Sequence, residues 1–255
     1  MKKKIYFVAV LVCLAGFCSS IFMVGYHWYQ EKQAASKFEE LAELVDESEE
    51  VEPDKKMQDE EVQSPLARYQ ELFERNNDMC GWISIKDTEI NYPVMYAPDR
   101  KDFYLKRDFD KNYSVYGVPY IAEHCDPNEP SDNIILYGHH MNNGSMFSDL
   151  MKYESKKFYE EHKVISFDSL TETAKYEVIA VFKTTVYDNV GFKYYLFTDA
   201  ETEAEFSDYV KECKELSLYE TDVTAEYGDK LITLSTCEYS RKNGRMVIVA
   251  KKLAE

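Results

Sequence analysis

A long apolar segment near the N-terminus constrains the fold of this 255-residue chain more than any other feature. Three lysines at positions 2–4 precede it, and residues 5–29 then contain no Asp, Glu, Lys or Arg. A helix of that length rises about 1.5 Å per residue and extends roughly 37 Å, which exceeds a hydrocarbon core of about 30 Å. Aromatic residues cluster at positions 26–29, as expected at a membrane–water interface. Residues 1–30 therefore predict a transmembrane helix.

The lysines predict the orientation of this helix, because positive charge favours the cytoplasmic side. We expect a cytoplasmic N-terminus, a single pass through the cell membrane, and everything after residue 30 on the extracellular face. The alternative is a cleavable signal peptide, whose apolar region usually has only about 7–15 residues. No small-x-small cleavage site is evident, and Phe17 before Cys18 does not suit a lipoprotein signal. An uncleaved anchor is the favoured interpretation.

Charge divides the rest of the chain. Residues 31–65 contain four Lys and thirteen Asp or Glu, and the whole chain carries a net charge of −17. Apolar residues at helical spacing over 38–45 predict a short helical extension, and the acidic run from Asp46 to Pro65 repels itself and should be extended. We predict an extracellular stalk over 31–65 and a globular domain over 66–255. So acidic a protein is unsuited to nucleic acid as a partner.

The globular domain has the pattern of a mainly β protein. A helix is predicted over 66–77 and another over 202–216, with weaker helical spacing over 146–161. Strands are predicted over 82–85, 89–94, 118–122, 133–137, 164–167, 176–186, 230–236 and 245–252. Many short strands with a few inserted helices favour a β-barrel or β-sandwich over alternating βαβ layers.

The six cysteines do not indicate a disulfide framework. Four lie beyond the apolar segment, and if one of them is a nucleophile the other three cannot all pair. No CxxC motif is present, and the histidines are not spaced as metal ligands. His124 beside Cys125 has no evident source of two further ligands, so we expect no metal and no cofactor.

Cys237 stands apart, because it ends an apolar strand. A short polar loop with the turn signal Asn243-Gly244 follows, and Arg245 then begins the next strand. In such a hairpin Cys237 and Arg245 could meet, and nearby positive charge favours a thiolate nucleophile. The alternative is that Cys237 is an ordinary buried thiol.

A histidine pair ends another apolar strand, at His139 and His140. Together with Cys237 and Arg245 it could supply a proton donor or acceptor, a nucleophile and an oxyanion stabiliser. Papain-like peptidases place Cys before His, so that family is disfavoured. Residues 234–236 also lack the Ser-x-Gly that precedes the cysteine of L,D-transpeptidases.

These motifs resemble those of class B sortases. The resemblance is carried by TLSTC (233–237), YGHHM (137–141) followed by NGSMF (143–147), and Arg245 before MVIV. GWISI (81–85) and INYPV (90–94) resemble the entry strands of the family, and the helix at 202–216 resembles its class B insertion. The resemblance covers essentially all of 66–255.

The resemblance implies a closed eight-stranded β-barrel with an N-terminal helix and an inserted helix before the cysteine strand. It also implies a membrane-anchored cysteine transpeptidase that cleaves a C-terminal sorting signal after Thr. The expected partners are surface proteins that carry such a signal and an amine of peptidoglycan or of its lipid-linked precursor. Cys237 would be the nucleophile, His139 the acid/base and Arg245 the oxyanion clamp.

Other residue roles follow less directly from the resemblance. Arg241 competes with Arg245 and His140 with His139, and the strand and Gly-His patterns favour Arg245 and His139. Substrate contacts of the family map to Asn91, Met95, Tyr137, Thr184 and Ser235, and each could equally be a structural residue. Glu238, next to the nucleophile, should oppose thiolate formation. The alternatives in function are a cysteine hydrolase without amine transfer and a non-enzymatic anchored binding domain.

Overall fold

The N-terminal part of the chain is one long helix. The structure, a computed structural model, describes residues 2–50, 65–127, 131–186 and 190–254. It divides into two compact units, Met1–Glu40 and Leu41–Glu255. Helix α1 covers Lys2–Glu50, and within it Val10–Val45 is long and apolar enough to cross a membrane. A signal sequence passes the same test, so the uncleaved anchor remains a prediction.

The acidic stalk is described only at its start. Helix α1 continues to Glu50, so residues 46–50, which the charge pattern predicts to be extended, are helical. Residues 51–64 of the predicted stalk lie outside the described residues.

The second unit is built on a closed barrel of eight strands, ordered β1-β2-β3-β4-β7-β8-β6-β5. The strands are β1 (Met79–Ser84), β2 (Asn91–Met95), β3 (Tyr120–Ile121), β4 (Asn133–Tyr137), β5 (Val164–Ser169), β6 (Thr173–Thr185), β7 (Leu231–Glu238) and β8 (Gly244–Lys252). The pairs β2–β3 and β4–β7 are parallel, and the other neighbours are antiparallel. The expected mainly β fold with a closed eight-stranded barrel is confirmed.

The long helix of the second unit, α4 (Glu203–Leu216), covers the outer face of the barrel. Its apolar residues recur at i, i+3, i+4 and i+7 and so form one stripe, which packs in one buried cluster with residues of β6, β7 and β8. Thr202 begins the helix, because its side chain accepts a hydrogen bond from the backbone N–H of Glu205. The predicted inserted helix is thus present, shifted by one residue at its start.

Shorter helices lie elsewhere in the described part of the unit. Helix α2 (Pro65–Arg75) docks through Tyr69, whose hydroxyl donates to Asp168 at 2.8 Å and whose ring stacks on Trp82. The helix predicted over 146–161 consists of a 3-10 helix over 147–154 and then α3 (Lys156–Glu161). Strand β3 has only two residues, and just before it the backbone N–H of Val118 bonds to the Tyr104 carbonyl.

Candidate active site

The β7–β8 hairpin brings Cys237 and Arg245 together. The two residues are direct partners in the antiparallel ladder, as the sequence predicts. Asn243 has a φ of 56°, the left-handed conformation that Asn tolerates in a tight turn. Arg245 also pairs with Thr184 of β6, so Thr184, Arg245 and Cys237 form one row across three strands.

The parallel pairing of β4 with β7 places the histidines beside this row. The ladder runs in register from Asn133↔Leu231 to Tyr137↔Ser235. Beyond it, Thr236 Oγ1 donates to the Gly138 carbonyl oxygen at 2.8 Å, across the same separation of 98 residues. His139 follows Gly138 and Cys237 follows Thr236, so these two residues are also separated by 98 positions. The barrel therefore brings His139, Cys237 and Arg245 to one end of three adjacent strands, and each is partly exposed.

A backbone carbonyl orients the His139 ring. His139 Nε2 lies 2.6 Å from the carbonyl oxygen of Leu105, in the 3-10 helix over 103–106. Because a carbonyl oxygen only accepts, this contact assigns the proton of the neutral ring to Nε2. Nδ1 is then the nitrogen left for proton exchange with a reacting group.

The Leu105 carbonyl is itself held by close packing. The backbone N–H of Val118 donates to the Tyr104 carbonyl at 3.2 Å, and the Tyr104 hydroxyl donates to Asp78 at 2.6 Å. Gly117 lies against this turn with a φ of 62°, and a Cβ there would lie 2.7 Å from the carbonyl oxygens of both Tyr104 and Leu105. Only glycine fits here, since both the conformation and the space exclude a side chain.

Gly117→Ala is therefore expected to disturb His139 through the Leu105 carbonyl that orients its ring. The positive φ and the clash should destabilise the fold by about 2 kcal/mol or more and, by displacing the Leu105 carbonyl, lower kcat about tenfold. Gly228→Ala is the matched control, because Gly228 also has a positive φ of 98° but open space at its Cβ. Thermal unfolding and peptide cleavage are measured for both variants, and equal loss of activity in the two would refute the role of the Leu105 carbonyl.

Glu238 differs from the expectation for a carboxylate next to a nucleophile. Adjacent strand residues point to opposite faces, and Glu238 is buried whereas Cys237 is partly exposed. Burial would raise the pKa of Glu238, but hydrogen bonds from the backbone N–H and hydroxyl of Ser240, aided by Lys183 and Arg241, lower it below its usual value. These groups balance its charge on the face away from Cys237. Arg241, the competitor of Arg245, contacts Glu238 at 3.8 Å.

The predicted substrate-binding positions fall into two groups. Asn91 is exposed and accepts a hydrogen bond from Trp82 Nε1 at 2.6 Å, and Tyr137 is partly exposed. Met95, Thr184 and Ser235 are buried, with exposed fractions of 0%, 5% and 1%. Met95 shares a row with Tyr120, Tyr137 and Ser235 through successive strand pairs. This row contains three of the five predicted positions, Thr184 lies in the row of Arg245 and Cys237, and Asn91 lies four residues before Met95 on β2.

Several contacts at this end have no signal in the sequence. The Tyr194 hydroxyl lies 2.6 Å from Ser235 Oγ, and the Thr184 hydroxyl accepts from the backbone N–H of Phe192 at 3.2 Å. Both contacts join the connection between β6 and β7 to these two strands, to β7 at Ser235 and to β6 at Thr184. His124, considered above with Cys125, bonds instead to the Tyr195 carbonyl at 2.7 Å. Among the described residues no group of His, Cys, Asp and Glu is arranged to hold a metal ion.

Comparisons with known proteins identify one family of similar sequences and structures. Residues 83–253 match the family model described as a sortase domain. A sortase B of Staphylococcus aureus is 35% identical over 72% of this chain and 74% of its own length. A sortase B of Listeria monocytogenes is 38% identical over 75% of each chain. The solved structure of a Staphylococcus aureus sortase B–substrate complex superposes with a TM-score of 0.77 at 30% identity, covering 88% of this chain and 98% of that one.

The barrel, the Cys-Arg hairpin and these similarities define a cysteine transpeptidase, and the chain belongs to the sortase family. Within that family its relatives and structural neighbours are class B enzymes, and class B is the branch to which it belongs.

Proposed function

We propose that this protein is a membrane-anchored sortase that cleaves a C-terminal sorting signal after Thr and joins the protein to an amine of peptidoglycan or its lipid-linked precursor. One observation supports the proposal: Cys237 is the direct ladder partner of Arg245, and the parallel β4–β7 ladder ends two residues before His139 and two residues before Cys237. A thiol, an imidazole and a guanidinium then lie at one end of three adjacent strands. Sortase chemistry needs these three groups.

The reaction would proceed in two acyl transfers. His139 takes the thiol proton of Cys237 at Nδ1, the Cys237 sulfur attacks the Thr carbonyl carbon, and the C–N bond breaks as His139 passes that proton to the departing amine. The Thr carbonyl is then held as a thioester. The acceptor amine attacks that thioester, gives its proton to His139, and forms a new amide as the Cys237 sulfur leaves. In both steps Arg245 stabilises the oxyanion on the Thr carbonyl oxygen.

The surroundings of the row suit a peptide substrate. Asn91 is exposed and Tyr137 is partly exposed, so these two mapped positions can contact the signal directly. Met95, Thr184 and Ser235 are buried and would lie beneath the bound peptide. Helix α1 would hold the domain at the extracellular face of the membrane, where both the signal and the peptidoglycan amine are found.

The proposal is tested with the full chain in detergent micelles. The enzyme is incubated with a library of quenched sorting-signal peptides, with and without a diamine acceptor, and products are identified by mass spectrometry. Cleavage after Thr together with an amine adduct supports the proposal. Hydrolysis that is unaffected by the amine would favour a cysteine hydrolase. A folded protein that cleaves no Thr-containing peptide would favour a binding domain.

Arg245→Gln is expected to lower kcat/KM about 100- to 1,000-fold, because the substitution removes the cation facing the oxyanion. The matched control is Arg241→Gln in the same hairpin, whose side chain is exposed and contacts Glu238. This control should stay within about threefold of the unsubstituted enzyme. Both variants are compared in the peptide assay. Equal losses would mean that charge in the hairpin, and not the position of Arg245, matters.

A further inference from the structure

The pairing of the histidine and cysteine segments continues past the end of the β4–β7 ladder. The ladder ends at Tyr137↔Ser235, after which the backbone N–H of Gly138 donates to the Ser235 carbonyl at 3.2 Å. Beyond that point β4 departs into a loop. The carbonyl of Cys237 would then lack a partner on this side, and backbone acceptors at a partly buried strand end are usually paired.

The side chain of His140 supplies the partner. His140 Nδ1 lies 3.0 Å from the Cys237 carbonyl oxygen, so the ring takes the place of the missing backbone donor. The Tyr239 ring stacks on the His140 ring with centroids 5.0 Å apart and planes inclined by 27°. The Tyr239 hydroxyl also donates to the His140 carbonyl oxygen at 3.0 Å. His140 and Tyr239 are thus joined by one hydrogen bond and a ring stack, and a second hydrogen bond joins the His140 ring to the Cys237 carbonyl.

The Tyr239 hydroxyl suits this role. Partial desolvation raises its pKa, and the neighbouring Cys237 raises it further. The hydroxyl therefore keeps its proton and remains a donor to the His140 carbonyl throughout the neutral pH range.

We infer that His140 and Tyr239 form a clamp that fixes the backbone of Cys237 against the segment carrying His139. His140 is then a positioning residue: it sets the placement of the nucleophile and takes no proton from the reaction. This inference rests on the proposed function, in which Cys237 and His139 react with the same carbonyl group. It also gives the second histidine of the YGHHM motif a role distinct from that of the first.

Substitution by Asn and by Leu separates the hydrogen bond from the shape of the side chain. Asn carries an N–H donor at the position of Nδ1, and Leu has nearly the same shape without a donor. His140→Leu should lower kcat about 10- to 100-fold with little change in KM, because the nucleophile is misplaced. His140→Asn should recover to within about threefold of the unsubstituted enzyme, with its pH profile unchanged.

His162 provides the matched control. Its Nδ1 also bonds to a backbone carbonyl, that of Phe158 at 2.8 Å, and its ring stacks on the Phe158 ring. His162 precedes Lys163, whose carbonyl accepts a hydrogen bond from the backbone N–H of Val178 on β6. Val178 lies six residues before Thr184 on the same strand, which places it about 20 Å from the active-site row. His162→Leu removes the same contacts at this distance and should leave kcat within about twofold.

A measurement without substrate tests the contact itself. In the full chain, labelled with ¹⁵N-histidine in detergent micelles, the neutral His140 ring should carry its proton on Nδ1, because the Cys237 carbonyl can only accept. An Nε2–H tautomer would overturn the inference. This spectrum decides the matter even if the enzyme transfers no peptide, so failure of the proposed function is distinguishable from failure of the clamp.

The kinetic outcomes are equally decisive. Normal activity in His140→Leu would show that the clamp does not position the nucleophile. Equal inactivity of the Asn and Leu variants, with loss of a limb of the pH profile, would make His140 the acid/base and would also overturn the inference. Loss in His140→Leu with recovery in His140→Asn and no effect of His162→Leu supports it.

Discussion

Cys237→Ala is expected to abolish both cleavage and amine transfer, with a loss of at least about 10⁴-fold in kcat/KM. Without the sulfur no thioester forms, and the oxyanion stabilisation from Arg245 has no covalent step to assist. The fold should be retained, since Cys237 lies partly exposed near the end of β7 and its backbone contacts do not involve the thiol. The loss is measured with sorting-signal peptides and mass spectrometry, beside thermal unfolding of the same sample.

Cys80→Ala is the matched control for this variant. The Cys80 thiol donates to the Val94 carbonyl at 3.3 Å, and burial raises its pKa, so it stays protonated and unreactive. Burial likewise raises the pKa of Cys125 to about 12. Cys80→Ala should keep full activity, and iodoacetamide should modify Cys237 in preference to Cys80 and Cys125. An active Cys237→Ala enzyme would refute covalent catalysis at this position.

The hairpin could be predicted from the sequence because its signals are local. An apolar strand ends at Cys237, Asn243-Gly244 marks a turn, and a second strand begins at Arg245, so the pairing of the two residues follows from the loop length. The closed barrel could not be predicted from such local signals. Strand pattern favours a barrel or a sandwich equally, and only the family resemblance pointed to closure with eight strands.

Contacts between distant segments had no comparable signal. The partner of His139 is a backbone carbonyl at Leu105, and every residue carries such a carbonyl, so composition cannot mark it. The pairing of His140 with the Cys237 carbonyl depends on the register of two parallel strands whose connection is long. Parallel pairing leaves no turn from which register can be derived.

The charge of Glu238 shows how burial changes an expectation drawn from neighbours in sequence. Adjacency to Cys237 suggested that the carboxylate would repel a thiolate. Strand alternation turns it to the other face, where Ser240, Lys183 and Arg241 lower its pKa and balance its charge. The carboxylate helps to order the hairpin turn, because two of its bonds come from Ser240 directly after the strand.

His139→Gln is expected to lower kcat about 100- to 10,000-fold while leaving the fold intact. Glutamine places an N–H donor where His139 has Nε2, so the bond to the Leu105 carbonyl can be kept. What is lost is the ring nitrogen Nδ1, and with it proton transfer to the departing amine and from the attacking one. The limb of the kcat/KM pH profile that reports this ring should therefore disappear in the variant.

His124→Gln is the control that isolates this loss. His124 Nε2 also contacts a backbone carbonyl, that of Tyr195 at 2.7 Å, so the same exchange preserves the same kind of bond outside the Cys237 row. Its kcat and pH profile should match those of the unsubstituted enzyme. If His139→Gln instead kept its activity within about threefold and retained both limbs of the profile, His139 would not be the acid/base. Since His140 is the other ring beside Cys237, proton transfer would then fall to it, and the order of roles within the YGHHM motif would be reversed.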